Sequence, residues 1–323
     1  MALGMLALLA VAQFMLILDV TVVAIALPDM GAELGQSRAA LTWVVSAYTL
    51  VFGGMLLLGG RSADLFGSRI VVLTGLGLFT GASLITGLAT GQAMLIGGRA
   101  AQGLGAALLS PAALSLVVKT FDGEDRNRAL GIWSALGAGG AAVGVLLGGV
   151  LTSGAGWRWV FWVNVPIGLV VLLALARVVP ADRPAGIRGR LDVLGALLVT
   201  AATGSAVFGI IQAGEAGLGS AIALVPLLAA AVLYAGFVLR QRTAAAPLMD
   251  LRILARRSVA SGTLLIFVAT ALMIAVFFLG SFYLQHYRQH SPLVTGLLFL
   301  PVAVATMAGA QLAGRLVGPL GTR

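Results

Sequence analysis

Apolar residues run along this chain in ten long stretches separated by polar connections. The stretches cover approximately residues 4–27, 41–59, 70–89, 93–118, 129–152, 160–179, 191–212, 220–239, 258–283 and 294–313. Each has roughly the 17–25 apolar residues that a helix needs to cross the hydrocarbon core of a bilayer. The pattern therefore predicts ten membrane-spanning helices and an all-α integral membrane protein. Ala10-Val11-Ala12 resembles a signal-peptidase site, but no Lys or Arg precedes it and the apolar run continues to Leu27. A retained first helix is predicted, not a cleaved signal.

The connections carry the charge, and they carry it unevenly. Sixteen of the 20 Lys and Arg residues fall in alternate connections: Arg61 and Arg69; Lys119, Arg126 and Arg128; Arg177, Arg183, Arg188 and Arg190; Arg240, Arg242, Arg252, Arg256 and Arg257; Arg315 and Arg323. Only Arg38, Arg158 and Arg288 lie in the intervening ones, and Arg99 lies inside a stretch. This is the positive-inside pattern, and with an even number of spans it puts both ends of the chain in the cytoplasm. A groove for nucleic acid would not alternate in this way, so the net charge of +9 points to the bilayer and not to DNA or RNA. The longest inner connection, residues 240–257, contains Ala244-Ala245-Ala246-Pro247. Its segment from Leu248 to Leu254 suits a surface-lying helix or a plain loop equally well.

Composition agrees. Apolar residues make up 60% and charged residues 10%, too few charges to solvate a globular surface of this size. The 44 glycines have no three-residue period, which excludes collagen. The absence of cysteine excludes disulfides and thiolate metal sites.

One segment occurs twice. Residues 60–69 read Gly-Arg-Ser-Ala-Asp-Leu-Phe-Gly-Ser-Arg, and residues 314–323 read Gly-Arg-Leu-Val-Gly-Pro-Leu-Gly-Thr-Arg. Each follows two apolar stretches and is expected to form a basic turn bounded by glycine. Such repeats mark duplicated helix bundles. Eight spans lie between the copies where a simple duplication of six-helix bundles would place six. The expected organisation is a six-helix bundle over 1–180, two inserted helices with a cytoplasmic linker over 181–257, and the first two helices of a second bundle over 258–323. About four more helices are expected beyond Arg323, giving ten of fourteen in this chain.

Several residues point to chemistry. Asp19 and Arg99 are ionisable residues well inside predicted spans, where charge is costly and is functional by default. Counted from a first helix ending near Pro28 and a fourth beginning near Gln92, both lie roughly 10–14 Å below the outer surface at 1.5 Å per residue. They are candidates for a pair or a shared polar cavity; the plainer alternative is an ion pair that only locks two helices. Gln102 follows Arg99 at i+3 and shares its face. Gly140, Gly144 and Gly148, with Gly149 beside them, form a small-residue stripe suited to close helix packing. In the first turn motif, Gly60 and Gly67 are expected to allow a tight turn, Asp64 to accept from backbone amides or an Arg, and Arg69 to place a cation at the membrane surface. Trp157, Arg158 and Trp159 read as interface anchors. His286 and His290 are expected in a loop, without the carboxylate a metal site would need. There is no catalytic triad, no paired carboxylates and no phosphate loop with a lysine. An enzyme, a bound cofactor and ATP-driven transport are not expected.

Taken in order, these residues resemble the major facilitator superfamily, specifically its fourteen-helix drug/proton antiporter branch. Leu18-Asp19-Val20-Thr21-Val22 with Ala26-Leu27-Pro28 resembles the first-helix signature, and Trp43 and Tyr48 fit the second helix. Residues 60–69 match the loop between the second and third helices, with Ser62 and Leu65 as departures. Arg99-Ala-Ala-Gln102-Gly103-Leu-Gly105 matches the fourth-helix motif linked in the family to proton coupling. Residues 140–149 match the antiporter motif, with Val145 where proline is usual and a kink therefore lost. Trp157 through Pro166, Leu191 through Gly195, Tyr283-Leu284-Gln285, and Ser291-Pro292 through Pro301 follow in register. The resemblance implies alternating access between two bundles, with the first, fourth and ninth helices lining the cavity. It implies proton-coupled efflux of small lipophilic or cationic compounds across the cytoplasmic membrane. The alternatives are export of one specific metabolite and a truncated membrane protein without transport activity. The partners it implies are a small-molecule substrate, protons and the lipid bilayer.

Overall fold

The computed structural model of the protein describes residues 2–180, 191–245 and 247–320. Among these residues the regular structure is helical throughout, with no strand. The helices are α1 (Ala2–Leu34), α2 (Arg38–Phe66), α3 (Ser68–Gly87), α4 (Gln92–Thr120), α5 (Gly123–Ala155), α6 (Trp159–Trp162), α7 (Asn164–Val178), α8 (Val193–Ala216), α9 (Ala221–Thr243), α10 (Arg257–Phe282) and α11 (Pro292–Leu320). Eight are long and apolar enough to cross a membrane, α6 and α7 counting as one span from Trp159 to Val178. In α5 and α11 the apolar stretches among the described residues are shorter, Val143–Ala155 and Pro292–Thr306. The chain is thus an all-helical membrane protein.

Helix ends follow local chemistry. Ser37 caps α2 by accepting from Ala40 N at 3.2 Å. Asp192 caps α8 by accepting from Gly195 N at 3.1 Å. Acidic Glu124 and Asp125 occupy the first turn of α5, where the helix dipole favours them. Ion pairs from Asp122 to Arg126 at 2.7 Å and Glu124 to Arg128 at 2.9 Å tie the same turn.

Three boundaries differ from the sequence expectation. First, α1 does not end at Pro28 but continues to Leu34. Proline removes one donor and fixes a φ compatible with a helix, and membrane helices tolerate that loss. Asp19 therefore lies fifteen residues before the end of its helix, and Pro28 does not mark the depth from which it was counted. Second, α10 continues into a π-helical turn, Tyr283–Tyr287, so His286 lies on a helical extension and not in a loop. Third, of the surface helix and the plain loop that Leu248–Leu254 suited equally, the structure has neither in full: a 3₁₀ turn covers Leu251–Ala255, capped by Asp250. The second copy of the repeated segment begins within α11, and its last three residues lie outside the described ones, as do Arg183, Arg188 and Arg190.

The contacts divide the chain into two compact units that interleave in sequence. The first comprises Met1–Gln36, Val117–Val178 and Leu272–Arg323. Here α1 packs on α5 and α7, and α11 packs on α5. Ile25, Val145, Phe277 and Phe299 are buried together, the two phenyl rings meeting edge to face at 5.0 Å. The second comprises Ser37–Leu116 and Val179–Ala271. Here α8 pairs with α9, and α2 packs on α3 and α8. The buried hydroxyls of Thr80 and Thr86 turn back on their own helix, donating to Leu76 O at 2.7 Å and Ala82 O at 2.7 Å, which satisfies both donors. The outward faces stay apolar: Leu265 and Ile266 are each 70% exposed, as expected where lipid replaces water.

Candidate functional site

In the first unit, α1 carries Asp19 into the helix packing, where it is buried. Asn164, the first residue of α7, is also buried, and its Nδ2 donates to Asp19 Oδ1 at 3.4 Å. The two polar side chains border a cavity of about 120 Å³ whose other lining includes Phe14, Leu18, Leu147 and Ile167. Asp19 and Asn164 are thus the polar side chains on a cavity whose other lining is apolar.

The glycine stripe of α5 meets α1 around this residue. A Cβ at Gly140 would lie 2.6 Å from Ile17 Cγ2, one at Gly144 would overlap the Thr21 hydroxyl and crowd Leu18, and one at Gly148 would lie 3.1 Å from Val22 O. Gly149 faces the other way, toward α11, where a Cβ would lie 2.8 Å from Pro292 O. From α11, a Cβ at Gly296 would lie 2.8 Å from Val145 O. Close backbone approach of this kind is how membrane helices gain packing contacts. Val145 itself is fully buried, and α5 runs unbroken through it.

In the second unit, Arg99 is the largest of the fully buried side chains. Its Nε donates to Val44 O at 2.9 Å and its Nη1 to Gln102 Oε1 at 3.1 Å. Its guanidinium lies 4.3 Å from the centroid of the Tyr48 ring. Gln102 Nε2 in turn donates to Ser83 Oγ at 2.8 Å, and Ser83 Oγ donates to Phe79 O at 2.9 Å. The cation is thus held by a carbonyl and an aromatic face of α2 and an amide of α4, which in turn reaches α3, each a recognised partner for a desolvated guanidinium. Gly103 and Gly105 allow the approach: a Cβ at Gly103 would lie 2.5 Å from Tyr48 O, and one at Gly105 2.6 Å from Phe79 N. The structure brings Arg99 and Gln102 together, and it places Asp19 in the first unit and Arg99 in the second.

Residues 60–69 are not a loop between two glycines. Helix α2 continues through Gly60, Arg61 and Asp64 to Phe66, and Gly67 alone separates it from α3. Gly67 has φ 94° and ψ 139°, a backbone conformation that side chains resist, and its N–H still bonds Ala63 O at 3.1 Å. Gly60 instead sits within the helix, where a Cβ would meet Pro111 Cβ at 3.7 Å. Asp64 lies half-buried in the last turn of α2 and Arg69 half-buried in the first turn of α3. The reversal needs one residue because α3 starts again at once, with Ser68 fully buried and its Oγ 3.3 Å from Ser115 Oγ.

Some partners were not singled out from the sequence. Glu33 accepts from Trp157 Nε1 at 2.7 Å and also pairs with Arg158. Trp157 is therefore a buried tie between α1 and the start of α6, whereas Trp159 is exposed as an anchor would be. Asn164 and Gln285 were noted only as parts of longer motifs. A buried amide within an apolar run was the available signal for each.

The family description Major Facilitator Superfamily fits residues 9–323. The chain is 44% identical over 300 residues to a cephamycin export protein of Amycolatopsis lactamdurans, covering 92% of this chain and 62% of that protein. It is 39% identical over 316 residues to a puromycin resistance protein of Streptomyces alboniger, covering 97% of this chain and 62% of that protein. The chain thus spans less than two thirds of the length of these relatives. A crystal structure of the peptide transporter POT in complex with alafosfalin superposes with a TM-score of 0.64 at 22% identity, over 98% of this chain and 68% of that one, a likeness of fold.

Proposed function

Because this chain belongs to the major facilitator superfamily, we propose that it acts in proton-coupled efflux of small lipophilic or cationic compounds, antibiotics among them, by alternating access. The observation that carries the reading is its similarity, along nearly its whole length, to proteins named for antibiotic export and resistance. The buried Asp19 carboxyl beside a small cavity supports it, since a proton-coupled exporter needs a group that can take up and release a proton inside the membrane. In this reading Asp19, Arg99 and Gln102 serve proton coupling and the substrate cavity. Gly60, Asp64, Gly67 and Arg69 form the reversal that moves as a unit, and Gly140, Gly144, Gly148 and Gly149 form the sliding surface of α5. The chain supplies ten spans of a fourteen-helix plan: a six-helix bundle over 1–180, an inserted pair and linker over 181–257, and the start of a second bundle from 258. Its basic connections face the cytoplasm, as do both of its ends. It works as a transporter in the cytoplasmic membrane and not as an enzyme.

The test is substrate-stimulated proton movement. The protein that carries these residues is placed in liposomes with an internal pH dye and a proton gradient. Addition of puromycin, a cephalosporin or tetraphenylphosphonium is expected to accelerate proton flux, and Asp19→Asn to abolish the acceleration. Folded protein in which none of these compounds moves protons overturns the reading. Export of one specific metabolite is the second reading, favoured because the cephamycin and puromycin relatives are each named for one kind of compound; a response to one compound alone in the same assay selects it.

A further inference from the structure

We propose that Asp192 and Gln241 form a clasp that positions the linker between α9 and α10. Asp192 is buried although it carries a charge. Such a group is stable only when its oxygens are fully engaged. Here they are. Oδ1 accepts from Gly195 N at 3.1 Å and from Arg240 Nε at 2.9 Å, and Oδ2 accepts from Gln241 Nε2 at 2.8 Å. One carboxylate thereby caps α8 and fastens the last turns of α9 to it.

Gln241 passes the connection on. Its Oε1 accepts from Leu248 N at 2.7 Å and Met249 N at 3.3 Å, so the main chain of the linker bonds back to the helix it has just left. Gly195 leaves the room this requires, since a Cβ there would lie 2.5 Å from Gln241 Nε2 and would overlap Asp192 Oδ2. Beyond Met249 the chain is ordered by its own caps. Arg252 N donates to Asp250 Oδ1 at 2.9 Å, and α10 begins directly after the turn at Arg256. The N-terminus of α8 is thereby tied through Asp192 and Gln241 to Leu248 and Met249, close before the turn that leads into α10.

The bonds from Leu248 N and Met249 N to Gln241 hold this part of the linker to α9 as a strap. Arg252 and Arg256 beyond it and Arg257 at the start of α10 are exposed, so the strap bears on protease-sensitive sites. Arg126 and Arg128, in the first turns of α5, have no part in the clasp and serve as an internal reference.

Limited trypsin digestion of the purified chain in detergent tests this directly. Gln241→Leu removes both the bond to Asp192 and the two bonds to the linker. Cutting after Arg252, Arg256 and Arg257 is expected to speed up about tenfold, the size expected for losing net bonds of this kind, with cutting after Arg126 and Arg128 unchanged. Asp192→Asn keeps an acceptor for Gly195 N but weakens the hold on Arg240 and Gln241. It is expected to give a smaller rise, about threefold, at the same three sites. Unchanged cutting of the linker in both variants overturns the clasp. An equal rise at Arg126 and Arg128 overturns it as well, because the loosening is then general.

Discussion

The side-chain amide of Gln285 donates to the main-chain carbonyl of Ile25 at 2.9 Å, joining the π turn after α10 to α1. The same nitrogen donates to Ser281 Oγ at 2.8 Å. The π turn and the bond belong together, since the extra residue in a π turn re-aims the side chains that follow it. Ile25 also belongs to the buried group with Val145, Phe277 and Phe299, so a polar bond and an apolar cluster hold the same place in the first unit.

Gln285→Leu keeps the volume and removes the bond. The natural chain has no cysteine, so one introduced thiol reports alone. Thr295 on α11 is fully buried, and Thr295→Cys is expected to react slowly with maleimide. Adding Gln285→Leu is expected to raise that rate about fivefold, in keeping with about 1 kcal/mol for one net hydrogen bond. Ser83→Cys, buried in the second unit, is expected to keep its rate. Equal acceleration at both sites points to general loosening instead.

Tyr48 supplies Arg99 with a ring face. Tyr48→Phe keeps that face and is expected to retain more thermal stability in detergent than Tyr48→Leu. Tyr48→Leu is expected to cost about 2 kcal/mol, the size of a desolvated cation–π contact. Arg99→Lys is expected to be destabilising despite the retained charge, because an ammonium cannot match the planar fork that reaches Val44 O and Gln102 together. Equal melting temperatures for the Phe and Leu variants count against the ring contact.

Gly144 and Thr21 are complementary across the α1–α5 contact. Gly144→Ala is expected to destabilise the protein by about 1–3 kcal/mol through overpacking. Thr21→Ala in the same chain removes the hydroxyl that the new methyl meets and is expected to recover part of the loss. A double variant as unstable as the sum of the singles argues against direct contact.

Topology is open to thiol labelling. Single cysteines replacing Ser37 and Ser291 are expected to react with a membrane-impermeant reagent from outside intact cells, and one replacing Glu124 is expected not to, following the positive-inside split. Glu124 is exposed, so silence there reports sidedness. Ser68 is fully buried and stays silent whichever way the chain is inserted. Labelling at Glu124 with none at Ser37 inverts the orientation.

The sequence by itself determined that this is a membrane-spanning helical protein, roughly where its apolar stretches lie, and that Asp19, Arg99 and the α5 glycines are unusual in such surroundings. These features are local. Transfer of about twenty apolar residues into lipid depends on composition and length, and a buried charge is conspicuous wherever it stands. Tertiary structure decided the rest. Proline at 28 reads as a helix end, yet α1 passes through it to Leu34, since its fixed φ suits a helix and a membrane helix tolerates one lost donor. Gly60 reads as the start of a turn, yet only Gly67 needs a conformation that side chains resist. Arg99 found its partners in the carbonyl of Val44 and the face of Tyr48, and Gln241 in the amides of Leu248 and Met249. Every residue carries a main-chain carbonyl and amide, so such partners leave no mark in the sequence, and only the fold selects which of them a buried side chain reaches.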